Sequence, residues 1–430
     1  NFILSFVTDN ITIWSISCHL MFDGGICMKL EDRALGAMTG LALGDALGVI
    51  TEGLNAEQIR SYFGYINDFN TASLMDKLIE QADDERSINA LQRFIARLPL
   101  PGLYSDDTQQ ALIIADCLIK CKKIDIDYIA AAYLKMASYP GQASLGLFRG
   151  VGPGFKTAVR NLKQGKPYTA CGAVSAGNGA AMRITPLGIY YHHDHELLEK
   201  AIIDASLLTH RDIRGIAAAG VIAFAVAYAI DHDPCHIDYS ELLAELTVLV
   251  GSLEKRLSLD YPSIVWEDST VDQVSKSMDM LHSLLDRSQD EAIAHMDRWA
   301  AAMSNDPDCR HNHAFALGSV LFSLYLFIKH ANDPESAVLT AVNGGGDTDT
   351  IAAMTGSLCG ALHGASAFPS SWHQQLVNRE QIELRGRALI NPGFDLLLLM
   401  DLFELEKAAC KEENDYRRKY RQILQEKYGI

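Results

Sequence analysis

Four glycines, Gly36, Gly40, Gly44 and Gly48, stand at every fourth position of the segment from Glu31 to Val49. On a helix that spacing draws a stripe without side chains down one face. Each interior glycine costs about 1 kcal/mol relative to alanine. A helix carrying four of them needs a return, and close approach of a second helix or of a ligand is the return to expect. The same helix holds Asp45 among apolar neighbours, where an unpaired charge is expensive. Asp45 therefore reads as a buried cap or ion-pair partner, and Glu52, on a loop just past the helix end, as the better candidate for chemistry.

The remainder points the same way. Ala-, Leu- and Gly-rich periodic segments dominate, β-branched alternation is sparse and hairpin dipeptides are almost absent, so the fold class is all-α. Gly215 to Ile230 is wholly apolar but shorter than the roughly 20 residues a spanning helix needs. Arg214 and Asp231 bound it, and it reads as a core helix. Ala314 to Ile328, Gln381 to Ala388 and Leu396 to Lys407 are further helices. Residues 1–27 are expected to be a leader or upstream extension, since Met28 makes a natural start. Residues 28–400 form the main domain, with solvated or peripheral insertions at 71–97 and 232–305, and 401–430 form a charged helical tail.

A net charge of −17 argues against a nucleic-acid backbone or an anionic membrane as the main partner. It leaves room for an anionic small ligand beside bound cations. Nine cysteines without a CxxC pair suit reduced thiols and a cytoplasmic location. The groups His232…Cys235-His236 and Cys309…His311…His313 lack a standard zinc spacing.

Chemistry gathers in two acidic helix starts. Gly344-Gly345-Gly346 runs into Asp347-Thr348-Asp349-Thr350 and then an apolar helix. Asp347 or Thr348 suits an N-cap, and Asp347 shares a helix face with Thr350. Ser105-Asp106-Asp107-Thr108 opens a second apolar helix. Taken singly, each is explained by capping and the helix dipole. Together, four carboxylates converging on one site would repel one another unless divalent ions sat between them, and an all-oxygen donor set selects hard cations. Gly150, Gly152 and Gly154 precede a helix, where their N–H groups either turn the chain or receive phosphate. In Ser175-Ala176-Gly177-Asn178-Gly179, Asn-Gly serves a turn or a ligand. Arg183 lies just inside an apolar helix and reads as paired or ligand-facing. His210 is a satisfied core histidine or a ligand contact.

Gly44-Asp45-Ala46-Leu47-Gly48…Glu52, Ser105-Asp106-Asp107-Thr108, Arg149-Gly150-Val151-Gly152, Gly177-Asn178-Gly179…Met182-Arg183, Thr209-His210 and Gly345-Gly346-Asp347-Thr348-Asp349-Thr350 occur in the order seen in ADP-ribosylglycohydrolases. From about Leu30 to Trp372 the chain resembles that family, with Ser105 where the family usually has Thr and Ala176 where some members have an aromatic. The resemblance implies a compact multi-helix orthogonal bundle with two Mg²⁺ or Mn²⁺ ions in a central cleft. It implies metal ligation by Ser105, Asp106, Asp107, Asp347, Asp349 and Thr350. The stretches holding Gly150, Gly152, Gly154, Ser175, Gly177, Asn178 and Gly179 would cradle diphosphate and ribose, with Arg183 and His210 also on the substrate side. Glu52, Asp107 and Asp349 would be the catalytic carboxylates. The implied activity is hydrolysis of the bond between ADP-ribose and a modified side chain, arginine before serine. The competing readings are an inactive ADP-ribose-binding module and a metal-dependent phosphohydrolase of nucleotide diphosphates.

Overall fold

The computed structural model describes residues 24–69, 71–140, 144–265 and 267–429; the expected leader lies outside them up to residue 23. The described residues form twenty α-helices and five 3-10 turns, with only isolated β-bridges and no strand, so the architecture is an all-α bundle.

The glycine stripe explains the centre of it. The helix Gly24–Gly48 lies antiparallel along the helix Thr348–His363, backbone against backbone. A Cβ placed on Gly40 would come within 2.1 Å of the Gly356 carbonyl oxygen, and one on Gly44 within 2.0 Å of that of Ala352. The stripe is reciprocated, since a Cβ on Gly360 would lie 2.0 Å from the Gly36 oxygen. At the far end Gly48 abuts Thr348 and the Cα of Asp349. The close approach is therefore with a helix, and that helix is the one beginning at the second acidic cluster.

Around this pair pack the helices Ile213–Asp231, Ala316–Lys329 and Arg379–Ile390. Ile213–Asp231 is the one described helix long and apolar enough to cross a membrane, and 94% of its apolar window is buried inside the protein. It is a core helix.

Two expectations change. Leu396 to Lys407 is not one helix: Leu396–Leu398 is a single 3-10 turn, and the helix Leu402–Tyr428 starts only where Asp401 caps it by accepting from the Glu404 N–H. Arg183 does not sit in a helix but in the turn between Asn178–Ala180 and Thr185–Tyr190, where Pro186 opens the next helix. Residues 71–97 are amphipathic, with most positions outside one apolar stripe exposed. They form the helices Ala72–Gln81 and Glu85–Arg97, whose Met75, Ile79, Leu91 and Ile95 bury against Tyr420 and Leu424 of the last helix. Within 232–305, the helix Tyr239–Asp260 buries Leu242, Leu246 and Leu253, the last packed over Gly220 of the core helix.

Candidate active site

One carboxylate locks two chain segments together. Asp45, on the glycine-striped helix, accepts from the Ser105 N–H (2.8 Å), the Thr108 N–H (2.9 Å) and the Thr108 hydroxyl (2.6 Å). It thus caps the helix Asp106–Cys121 from outside, which is the capping role expected of it. Because the glycine stripe fixes the same helix against Thr348–His363, both acidic helix starts are referred to one rigid element. Thr348 adds a hydroxyl bond to the Gly48 carbonyl (2.9 Å), and Thr51 bridges Thr348 and the Val342 carbonyl. The loop that follows is zipped to the glycine run, with the Gly53 N–H donating to Gly346 and the Gly346 N–H to Leu54. That bidirectional pairing holds Glu52 over the second cluster. Gly345 and Gly346 take φ of +77° and +83°, where an L side chain is strained. At Gly346 a Cβ would also meet the Asn312 carbonyl oxygen at 2.2 Å.

A cavity of about 240 Å³ opens between these segments. Its wall includes Glu52, Asp106, Asp107, Asp347, Asp349 and Thr350, and also Gly150, Gly152, Gly154, Ser175, Gly177, Asn178, Gly179, Arg183 and His210. Of the residues expected to hold metal, bind substrate or act in catalysis, only Ser105 is absent from the wall; its hydroxyl accepts from the Asp107 N–H (3.3 Å) as the helix N-cap. Asp347 occupies the N-cap position of its helix, yet its side chain makes no capping bond there. Its Oδ2 instead accepts from the Asn178 amide at 2.6 Å, which ties the Gly177–Gly179 turn to the acidic cluster.

The cluster is short of positive charge. Burial first, and then the charges of neighbouring carboxylates, push Asp106, Asp107 and Asp349 well above the usual carboxylate range. Burial also raises Asp347, against its bond from Asn178, and Asp45, against its three bonds. The Glu52 side chain reaches solvent, but the surrounding cleft and the charges of Asp347 and Asp45 push it up to about 7. Asp107 Oδ2 is buried with no hydrogen-bond partner. An orphaned carboxylate oxygen among like charges, with only oxygen donors around it, suits hard divalent cations.

The opposite wall is a hydrogen-bonded chain. Asp106 Oδ2 accepts from the Gln110 amide (2.6 Å), Gln110 Oε1 from Arg183 Nη1 (2.5 Å), and Thr209 Oγ1 from Arg183 Nη2 (2.5 Å). Arg183 is thus paired with neutral protein acceptors. The Thr209 hydroxyl lies 2.8 Å from His210 Nδ1 and 3.4 Å from the Ser206 carbonyl. Burial and the Arg183 charge push His210 down to about 3, so the ring is neutral. It lies against Gly179, where a Cβ would come within 3.3 Å of Nε2.

Gly152 is the N-cap of the helix Pro153–Lys163 and has open space where a Cβ would stand, so backbone can meet a ligand there. Gly150, at φ +77°, is pressed against Asp106 Oδ1, and the Asp106 N–H donates to the Arg149 carbonyl (3.0 Å). The Arg149 guanidinium is anchored from the far end of the chain. It pairs with Glu406 (2.6 Å), whose carboxylate also accepts from the Tyr104 hydroxyl and the Gln109 amide.

Sequence reading missed Gln110, Asn312 and Glu406. Gln110 carried a usable signal, four residues after Asp106 on one helix face. Asn312, which holds the glycine run through the Gly345 carbonyl (2.8 Å), and Glu406 carried none, because both act across the fold. In the two Cys/His groups, His311 pairs with Asp297, and among the described residues no cluster of three ligating side chains includes Cys235, His236, Cys309 or His313.

A family model described as ADP-ribosylglycohydrolase matches residues 27–406. An Escherichia coli protein, YegU, is 27% identical over 84% of this chain and 96% of its own length. The ADP-ribosylarginine hydrolase Tri1 of Serratia proteamaculans is 24% identical over 82% of this chain and 77% of its own. The human ADP-ribosylhydrolase ARH3 is 24% identical over 72% and 87%. A solved structure described as an ADP-ribosylglycohydrolase-related protein complex superposes with a TM-score of 0.55 at 26% identity, over 84% of this chain and 98% of that one.

Proposed function

Because the chain belongs to the ADP-ribosylglycohydrolase family, we propose that it hydrolyses the glycosidic bond between ADP-ribose and a modified protein side chain, reversing mono-ADP-ribosylation. The family makes it a hydrolase of ADP-ribosylated substrates; the linkage, the metal and the residue roles are our reading. The observation that carries it is Asp107 Oδ2, orphaned in a buried all-oxygen cluster that faces the same cavity as the glycine turns.

Two Mg²⁺ or Mn²⁺ ions held by Asp106, Asp107, Asp347, Asp349 and Thr350 would neutralise the carboxylates, engage the ribose hydroxyls and make water more acidic. The chain's own groups then divide the work. The N–H groups opening the helix Pro153–Lys163 receive the diphosphate, favoured by the helix dipole. Ser175, Gly177 and Asn178 shape the ribose side, and the neutral His210 lines the substrate side with them. Cleavage at the anomeric carbon has oxocarbenium character, which the acidic cluster favours electrostatically. Water's oxygen joins that carbon as the bond to the leaving nitrogen or oxygen breaks. Glu52 gives its proton to the leaving group and recovers one from the water. Arginine is the favoured acceptor and serine the second, in line with the substrate named for Tri1.

The test is release of free ADP-ribose from ADP-ribosyl-arginine and ADP-ribosyl-serine peptides, with Mg²⁺, with chelator and with Asp349→Asn. Metal-dependent release lost in the variant is expected. Release of AMP instead would identify a phosphohydrolase, and binding without release a reader.

A further inference from the structure

At the opposite end of the core helix the fold brings together three ligating side chains that the sequence separates. We infer that His192, His193 and Asp231 form a second metal site, for a borderline transition-metal ion of the Zn²⁺ class rather than for Mg²⁺. His192 and His193 sit in the turn between the helices Thr185–Tyr190 and His195–Leu207; Asp231 is the last residue of Ile213–Asp231. Both rings turn Nδ1 toward one carboxylate. His192 Nδ1 is 2.9 and 3.0 Å from the two Asp231 oxygens, and His193 Nδ1 is 3.9 Å from Oδ2.

The spacing suits an ion. Ligands about 2.0–2.1 Å from a tetrahedral Zn²⁺ stand roughly 3.3 Å from one another. The nitrogen–oxygen distances of 2.9 and 3.9 Å bracket that edge, and the three ligand atoms lie within 4.8 Å of one another. The two rings already lie against each other, with centroids 3.5 Å apart and planes tilted by 42°. His192 is buried, whereas His193 and Asp231 are exposed, which leaves solvent for a fourth ligand. An N₂O donor set favours Zn²⁺-class ions over Mg²⁺. The negative end of a 19-residue helix adds to the field there. Arg33, which donates to the Ile230 carbonyl, is the nearby opposing charge.

The other histidines nearby are engaged elsewhere. His195 packs edge-on to Phe224, His232 stacks on Tyr228 and bonds its carbonyl, and His236 pairs with Asp233. The site is remote from the cleft. Gly215, near the other end of the helix, touches the Ser175–Gly177 turn, and 16 helical residues span about 24 Å. A bound ion would staple the 191–193 turn to the end of the core helix.

Chelator-treated full-length protein is titrated with Co²⁺ in excess Mg²⁺, following the visible absorption of low-coordinate Co²⁺. Binding of one equivalent, displaced by Zn²⁺, is expected. His193→Ala and Asp231→Asn, both at exposed positions, should each weaken it at least about tenfold. His236→Ala and Cys235→Ser should leave it unchanged. A Zn²⁺-dependent rise in melting temperature, present in the parent and absent from the first two variants, is the second readout. Absorption that survives His193→Ala and Asp231→Asn, that disappears in Cys235→Ser, or that excess Mg²⁺ abolishes would overturn the assignment. These readouts do not use hydrolase activity, so they stand or fall apart from the proposed function.

Discussion

Glu52 is the residue on which the chemistry most depends, and two expectations attach to it. Glu52→Gln removes the proton donor but leaves the diphosphate and ribose walls alone. Turnover should fall by about 10²–10⁴-fold with ADP-ribose affinity little changed, measured by single-turnover kinetics beside calorimetry. Unaltered turnover would take Glu52 out of the mechanism. The second expectation concerns pH. In the ion-free protein Glu52 is raised from its ordinary 4.5 to about 7, so folding disfavours its ionisation. Its contribution to stability is therefore complete below about pH 4.5 and declines as pH rises toward 7. Asp106, Asp107 and Asp349 are raised too and act in the same direction. The melting temperature of metal-free protein should fall between pH 4.5 and 7, and less steeply in Glu52→Gln. A melting temperature that rose over that interval would contradict the electrostatic picture of the cluster.

At the scale of elements, the glycine stripe and the last helix each make a claim. A Cβ on Gly40 meets backbone rather than a movable side chain, so Gly40→Ala forces two helices apart. It should destabilise by about 3 kcal/mol, the upper end of ordinary overpacking, although alanine is the better helix former. Urea unfolding measures this, and a neutral or stabilising outcome would refute the backbone contact. Glu406 tests a longer connection. Glu406→Ala leaves the Arg149 guanidinium buried without its carboxylate, at a cost of about 3–5 kcal/mol. Arg149 positions the Asp106 backbone and the Gly150 turn. The milder Glu406→Gln should therefore weaken ADP-ribose binding even where the protein remains folded. A loss of stability with binding intact would reduce Glu406 to a core residue.

For the whole molecule, the acidic cluster links metal binding to folding. An ion bound only by the folded state at 100 times its Kd stabilises by about 2.7 kcal/mol. Mg²⁺ or Mn²⁺ should raise the melting temperature of the parent protein, and Asp349→Asn should shrink the rise, read by calorimetry.

Much of this was legible in one dimension. Helical periodicity, the four-residue glycine spacing and the oxygen-only clusters are local signals. They gave the all-α class, a close helix contact, Asp45 as a cap and the two acidic helix starts, while the full set of residues that now line one cavity came from the resemblance to the family. The glycine stripe announced that a partner must exist, since its cost is set within the helix itself. Its partner, the Thr348–His363 helix, was decided only by tertiary packing, because backbone complementarity leaves no mark on sequence spacing. The same limit hid Glu406, Asn312 and the His192–His193–Asp231 group, and the last helix as the partner of residues 71–97. Each depends on which surfaces meet across some tens to hundreds of residues. Sequence fixes which groups want a partner; the folded chain alone chooses it, because burial and charge act through space.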